Sequence, residues 1–437
     1  MTPRDLLVGS FRAALTAADP LVIVPSHLPS PPRGRTLVVG AGKAAASMAK
    51  AVENAWPADE PLDGLVITRY AHGYADDEAL KRIRVVEAGH PVPDQAGEQA
   101  AKEIFARARS LFEHDLLLVL VSGGGSSLLS LPAEGIPMAD LKAVTKDLLA
   151  CGAPIQEMNI VRKHLSLIQG GRLAALTKAP VTALIISDVT GDDPSAIASG
   201  PTAPDPSTYQ DALDILHAYR ITPPLSIARH LSNGARGEIA ETLKPGDAVF
   251  ARVDNRVIAT AHASLSMAGA FFQQHGITPM ILGDSVTGEA REVAKVYAAL
   301  AKQIQRYHHP LKPPVALISG GECTVTLRGE AESPGPGATG GRGGRCSEFL
   351  LSLAVELEAC ENIHALACDT DGIDGSEDNA GAYLAPNSLS RGKASGLAAK
   401  RLLQANDAYG FFGPLGDLIV TGATRTNVND YRVILVT

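Results

Sequence analysis

An α/β fold with mainly parallel sheets, split into two domains, is what this sequence predicts, on three observations. Short apolar runs such as DLLLVLV (115–121) and VTALIISDV (181–189) lack polar alternation, as strands buried on both faces do. Between them lie longer segments rich in helix formers, and strand alternating with helix indicates a parallel sheet covered on both sides. The chain has 437 residues, too many for one ordinary core. Two Rossmann-like domains with an active-site cleft between them form the expected architecture.

In order, RTLVVG (35–40) reads as a strand entering glycine, and GKAAASMAKAVENAW after it as a helix. GLVITR (64–69) is a second strand, and IRVVEAGHPVPD (83–94) a third, stopped by two prolines. A polar helix over 95–111 precedes the strand 115–121, which ends in SGGGSS. Helices are expected over 138–150 and 154–168, followed by the strand 181–189. Residues 201–245 hold prolines and no strong strand, which places the domain boundary near 240, giving domains 1–240 and 241–437. A second series then runs RVIAT, a helix through 272, PMILGD and a helix over 289–307. VALISG, a glycine-rich stretch, EFLLSLAVELEA as a helix, HALACDT, another helix, DLIVTG and RVILV (432–436) complete it.

Composition narrows the function. The formal charge of −8 argues against general nucleic-acid binding, which relies on clustered Lys and Arg. The longest apolar runs are six or seven residues, far below the ~20 of a membrane helix. The N-terminal twenty residues read as an amphipathic helix rather than a signal peptide. Five scattered cysteines with no CxxC pair read as reduced thiols, so a cytoplasmic protein with a small-molecule partner is expected. A homodimer is left open.

Four loops carry the chemistry. GAGKAA (40–45) fits the dinucleotide fingerprint GxGxxG/A between a strand and a helix. The acid that should follow about 20 residues on is missing, and the second strand ends in Arg69, which suits a 2′-phosphate. A tight packing turn explains the glycines equally well, but not Lys43, whose charge at the positive end of a helix calls for an anion. Gly42 and Lys43 are therefore read as phosphate handlers. Ser122, Gly123, Gly124, Gly125 and Ser126 offer backbone donors and hydroxyls where α/β sheets bind ligands. From Ser319 to Arg345 the chain holds nine glycines between a strand and a helix, and Gly320, Gly321 and Glu322 open it. Its proline–glycine middle, 333–344, is expected as a mobile cover over bound substrate. NIVRKHLSLIQGGR (159–172) bears Arg162, either on a solvated basic face or at an anion site. Asp188, with Asp192 and Asp193, suits Mg²⁺ or a plain turn. DTDGIDGSEDN (369–379) lacks the spacing of a calcium loop and reads as a catalytic acidic loop. No Walker A or protein-kinase signature occurs.

Taken together and in order, VVGAGKAAASMA, AGHPVPD, VSGGGSSLL, MNIVRKHLSLIQGGRLA, ISDVTGDDPSAIASGPT, ISGGECTVT, GGRGGR, DTDGIDGSEDNAGA and TNVND closely resemble the glycerate 2-kinase family. Its C-terminal half is often called the MOFRL domain, and some members have been labelled hydroxypyruvate reductases. The resemblance implies transfer of the ATP γ-phosphoryl group to the 2-hydroxyl of D-glycerate, with a divalent metal such as Mg²⁺. It also implies that the key lysine is Lys43, the arginine of the GGR segment is Arg345, and the acid of TDGIDG is Asp371. Metal ligation by Asp188 and Asp371 is expected. Two departures stand out, Cys346 where the family commonly has Asn, and Ala423 and Arg425 in place of a proline and a glycine. The competing reading, an NAD(P)H-dependent hydroxypyruvate reductase, rests on GAGKAA alone.

Overall fold

The computed structural model describes residues 1–75, 79–327, 341–358 and 360–437. Residues 333–340 of the expected cover lie outside the described residues, as does Ala359, which ends the helix expected after it. The chain forms two compact units, one of residues 20–258 and one in which residues 1–19 join residues 259–437.

Six strands make the sheet of the first unit: β1 (Thr36–Ala41), β2 (Leu62–Arg69), β3 (Ile83–Ala88), β4 (Leu116–Val121), β5 (Val181–Ile186) and β6 (Val253–Ala259). Their order is β3-β2-β1-β4-β5-β6, and β3 through β5 pair in parallel. Every residue of β1, β4 and β5 is buried, which is why these runs show no alternation. Leu37, Val39, Leu117 and Val119 pack against Ile104 and Ala101 of the helix Gln95–Ala108. Each such side chain contributes roughly 1.5–3 kcal/mol on full burial. Helices Met138–Ala150, Ile155–His164, Tyr209–Ala218 and Leu225–Ala235 close a smaller core of their own around Leu148, Val161, Leu216 and Leu231.

The division differs from a single cut near residue 240 at both ends. RVIAT, expected to open the second domain, lies in β6 and completes the first sheet. The helix Pro3–Thr16 belongs to the other unit, capped by Thr2 and Asp5. It buries Leu7, Phe11 and Ala14 against Leu265 and Phe272 of the helix Ala261–Gln274.

The second unit holds β7 (Thr278–Gly283), β8 (Val315–Ser319), β9 (Ile363–Asp369), β10 (Gly381–Leu384), β11 (Leu418–Ile419) and β12 (Asp430–Val436), in the order β11-β10-β9-β12-β8-β7. The α/β class holds, but the mainly parallel expectation does not extend here. Only β7 and β8 pair in parallel, while β12 runs antiparallel between β8 and β9. β10 also runs antiparallel to β9 and β11. The link from Asp369 to Gly381 is too short for the crossover that parallel pairing needs. All seven residues of β12 are buried, so an apolar run marked it as central without giving its direction. Among the described residues, no single helix is long and apolar enough to cross a membrane. The five cysteines are free.

Candidate functional site

In the unit 20–258, β1 and β4 are neighbours, so the turns that follow them emerge side by side where the strand order reverses. Gly42 has φ +140°, and a Cβ there would lie 2.1 Å from Ser122 Oγ. Gly42→Ala is therefore expected to cost about 2–3 kcal/mol through overpacking and strain. A urea midpoint equal to wild type would contradict that tight approach.

The amides of the 42–44 turn are spent on the protein itself. Gly42 N donates to Ile67 O (3.1 Å), Lys43 N to Gly123 O (2.8 Å) and Ala44 N to Ser122 Oγ (3.0 Å). The backbone half of the phosphate cradle expected at Gly42 and Lys43 is thus filled by the neighbouring turn. Ser122 N is spent on Ala41 O and Gly125 N on Ser122 O, whereas the amides of Gly123 and Gly124 have no acceptor among the described residues. Gly124 sits at φ +81°, where an added Cβ would be 2.8 Å from His90 Nε2 and 3.6 Å from Lys43 Cγ. Lys43, His90 and the 122–126 turn therefore meet.

Ser126 belongs to a buried polar chain. Ser199 Oγ lies 2.9 Å from Ser126 Oγ and 3.1 Å from Asn159 Oδ1, which in turn accepts from Arg162 Nη1 at 3.5 Å. The basic run around Arg162 is no solvated face. Lys163 pairs with Asp205 at 3.2 Å, His164 Nε2 meets Glu241, and Arg172 donates to the Lys163 carbonyl. Asp188 is half-buried just past β5. Asp193 caps its own turn, accepting from Ser195 N and Oγ, both at 2.8 Å.

In the other unit, Arg345 opens the helix Arg345–Leu357. Its Nε donates to Asp430 Oδ1 and its Nη2 to Asp369 Oδ2, both at 2.7 Å. Its Nη1 lies 3.2 Å from Glu322 Oε1. These acids hold the guanidinium protonated against the cost of its burial, well above the usual arginine range. Only Glu322, whose side chain is 56% exposed, is placed to give way to a ligand. Asp430 also accepts from Arg432, which is 1% exposed and donates to the Gly320 carbonyl at 2.9 Å. Gly320 and Gly321 thus present carbonyls to Arg432 and to Asp430 N, and Gly320 N is taken by Gly283 O. They serve the β8–β12 junction rather than an anion.

Asp371 is buried, accepting from Ile373 N at 2.9 Å while its own amide donates to Asp369 Oδ1 at 3.0 Å. Asp374 accepts from Cys346 N (2.9 Å) and Ser347 N (2.8 Å), which fastens the acidic loop to the helix that Arg345 begins. Burial raises the Asp374 pKa against the lowering effect of these bonds. The same burial pushes the Cys346 thiol up, so the departure at that position is an inert core residue. Among the described residues no group of three or more His, Cys, Asp or Glu is arranged to hold a metal ion. A nucleotide-borne Mg²⁺ needs only one or two carboxylates, and Asp188 and Asp371 supply hard oxygen donors of that kind.

Comparison with known proteins decides the frame. Residues 6–232 match a domain of unknown function (DUF4147), and residues 315–430 match the MOFRL family. An Agrobacterium vitis protein with the provisional name hydroxypyruvate reductase is 47% identical over all of this chain and 95% of its own length. The glycerate 2-kinase of Pyrococcus horikoshii is 38% identical over 93% of this chain and 88% of its own. The chain belongs to the glycerate 2-kinase family. The crystal structure of glycerate kinase from Thermotoga maritima extends the match, with a TM-score of 0.85 at 35% identity over 99% of both chains. Within the glycerate 2-kinase family this chain departs at Arg425, which adopts φ +57° where the family resemblance expects glycine. Asp369 and Asp430 were the acids that sequence reasoning missed as partners of Arg345. Each ends or begins a buried strand, which is the signal that would have found them.

Proposed function

We propose that this protein transfers the γ-phosphoryl group of ATP to the 2-hydroxyl of D-glycerate, forming ADP and 2-phosphoglycerate. The carrying observation is the Lys43 side chain packed beside Gly124 in the 122–126 turn, where the amides of Gly123 and Gly124 have no acceptor among the described residues, in a chain related over most of its length to glycerate kinases. Phosphoryl transfer asks mainly for positioning and neutralised charge, and these groups suit the anionic phosphates. In this reading the glycerate 2-hydroxyl oxygen bonds to the γ-phosphorus, the bond from that phosphorus to the ADP oxygen breaks, and Asp371 takes the hydroxyl proton. Asp369 and Asp430 fix Arg345, which steadies the loop carrying Asp371. Mg²⁺, held by Asp188 or Asp371, would neutralise phosphate charge. A cytoplasmic setting fits the five free thiols.

A reductase has one structural point in its favour, since β3-β2-β1-β4-β5-β6 is also the strand order of dinucleotide-binding sheets. The spent amides of Gly42, Lys43 and Ala44 count against it, because a dinucleotide pyrophosphate would need them. The purified protein given ATP, Mg²⁺ and D-glycerate is expected to release ADP and 2-phosphoglycerate, read by mass spectrometry. With hydroxypyruvate it is expected to leave NADH and NADPH unoxidised. ADP at background level, or nicotinamide oxidation instead, would sink the kinase assignment.

A further inference from the structure

The helix Ile155–His164 carries one cation that no carboxylate among the described residues neutralises. Lys163 beside it has Asp205, and His164 has Glu241, but among the described residues no carboxylate pairs with Arg162. Its guanidinium donates only to Asn159 Oδ1, at a long 3.5 Å. Burial alone pushes the Arg162 pKa down to about 10. A half-buried cation of this kind is costly unless an anion joins it.

Arg162 lines a narrow pocket with Ser126, Ser127, Ser130, Thr145 and Ser166 around it and no acidic side chain. The wall is already organised. Ser126 is held by Ser199, and Ser166 Oγ accepts from Ile168 N and Gln169 N, both at 3.2 Å, so its own proton is directed elsewhere. The pocket is too narrow for a nucleotide base, and its hydroxyl-rich lining suits a small anionic group. Ser126 and Ser127 continue the turn whose Gly124 packs beside Lys43, so the pocket wall and the lysine adjoin the same turn. We propose that this pocket is the subsite for the carboxylate of the hydroxy-acid acceptor, with Arg162 as its counter-ion. The inference rests on the kinase reading for the identity of the acid, not for the site itself.

Titration calorimetry with D-glycerate and with glyceramide, its uncharged amide, tests it. Wild type is expected to favour the acid roughly 10- to 100-fold, as a charged hydrogen bond in a desolvated pocket would give. Arg162→Met is expected to bind both alike and weakly, with ATP affinity unchanged, while Arg162→Lys recovers part of the preference. The unliganded Met variant should melt no lower than wild type, because an unpaired buried charge has been removed, whereas a structural arginine would lower the melting temperature. The subsite is overturned if wild type fails to prefer the acid or if the Met variant keeps the preference. It is equally overturned if that variant loses ATP affinity instead, which would assign the pocket to a nucleotide phosphate. Wild type that prefers D-glycerate yet releases no ADP would leave the subsite standing and remove the kinase assignment.

Discussion

Replacing Lys43 with methionine is expected to lower kcat roughly 10³-fold, the scale on which a single positioned charge acts in phosphoryl transfer. The methionine stem keeps the packing beside Gly124, so the urea midpoint should stay close to wild type. Arginine at this position should not restore turnover, since a planar fork cannot substitute for a compact ammonium in a turn this tight. Steady-state kinetics with ATP and D-glycerate check it. Near-normal turnover of Lys43→Met would remove the lysine from the mechanism.

Asp430→Ala is expected to cost about 3–5 kcal/mol, the penalty for stripping one partner from buried charges. Asp430 is the carboxylate shared by Arg345 and Arg432, and its removal leaves the buried Arg432 without a carboxylate partner among the described residues, while Arg345 keeps Asp369 and Glu322. By contrast, Glu322→Gln should change stability by well under 1 kcal/mol, because that carboxylate is mostly in water. Urea denaturation of both variants provides the comparison. Similar midpoints would mean that the Arg345 cluster is not a structural hub.

Much of the architecture was readable in the chain because it is written locally. DLLLVLV running into SGGGSS could hardly be anything but a buried strand opening into a turn, and that is where β4 and the 122–126 turn lie. β10, only GAYL, was invisible because four residues carry no period, and the direction of β12 depends on partners distant in sequence. The site followed the same divide. The spacing of Gly42 and Lys43 announced a strand-to-helix turn, but whether its amides stay available depends on how close β4 brings Ser122 and Gly123. Arg345 was legible as a charge at a helix start. That its fork is filled by acids at positions 322, 369 and 430 is a property of the folded sheet, which no local pattern records.

The placement of the helix Pro3–Thr16 has a consequence for biosynthesis. The segment is made before residues 20–258, yet the surface it covers, built from the helix Ala261–Gln274 and β12, is made after them. At usual elongation rates of 5–20 residues per second, roughly ten to fifty seconds pass before even the first of those partners exists. Throughout that interval residues 20–258 can already condense, while Leu7, Phe11 and Ala14 trail from them without a home. The nascent chain thus carries uncovered apolar side chains until residues 261–274 and 430–436 have been made.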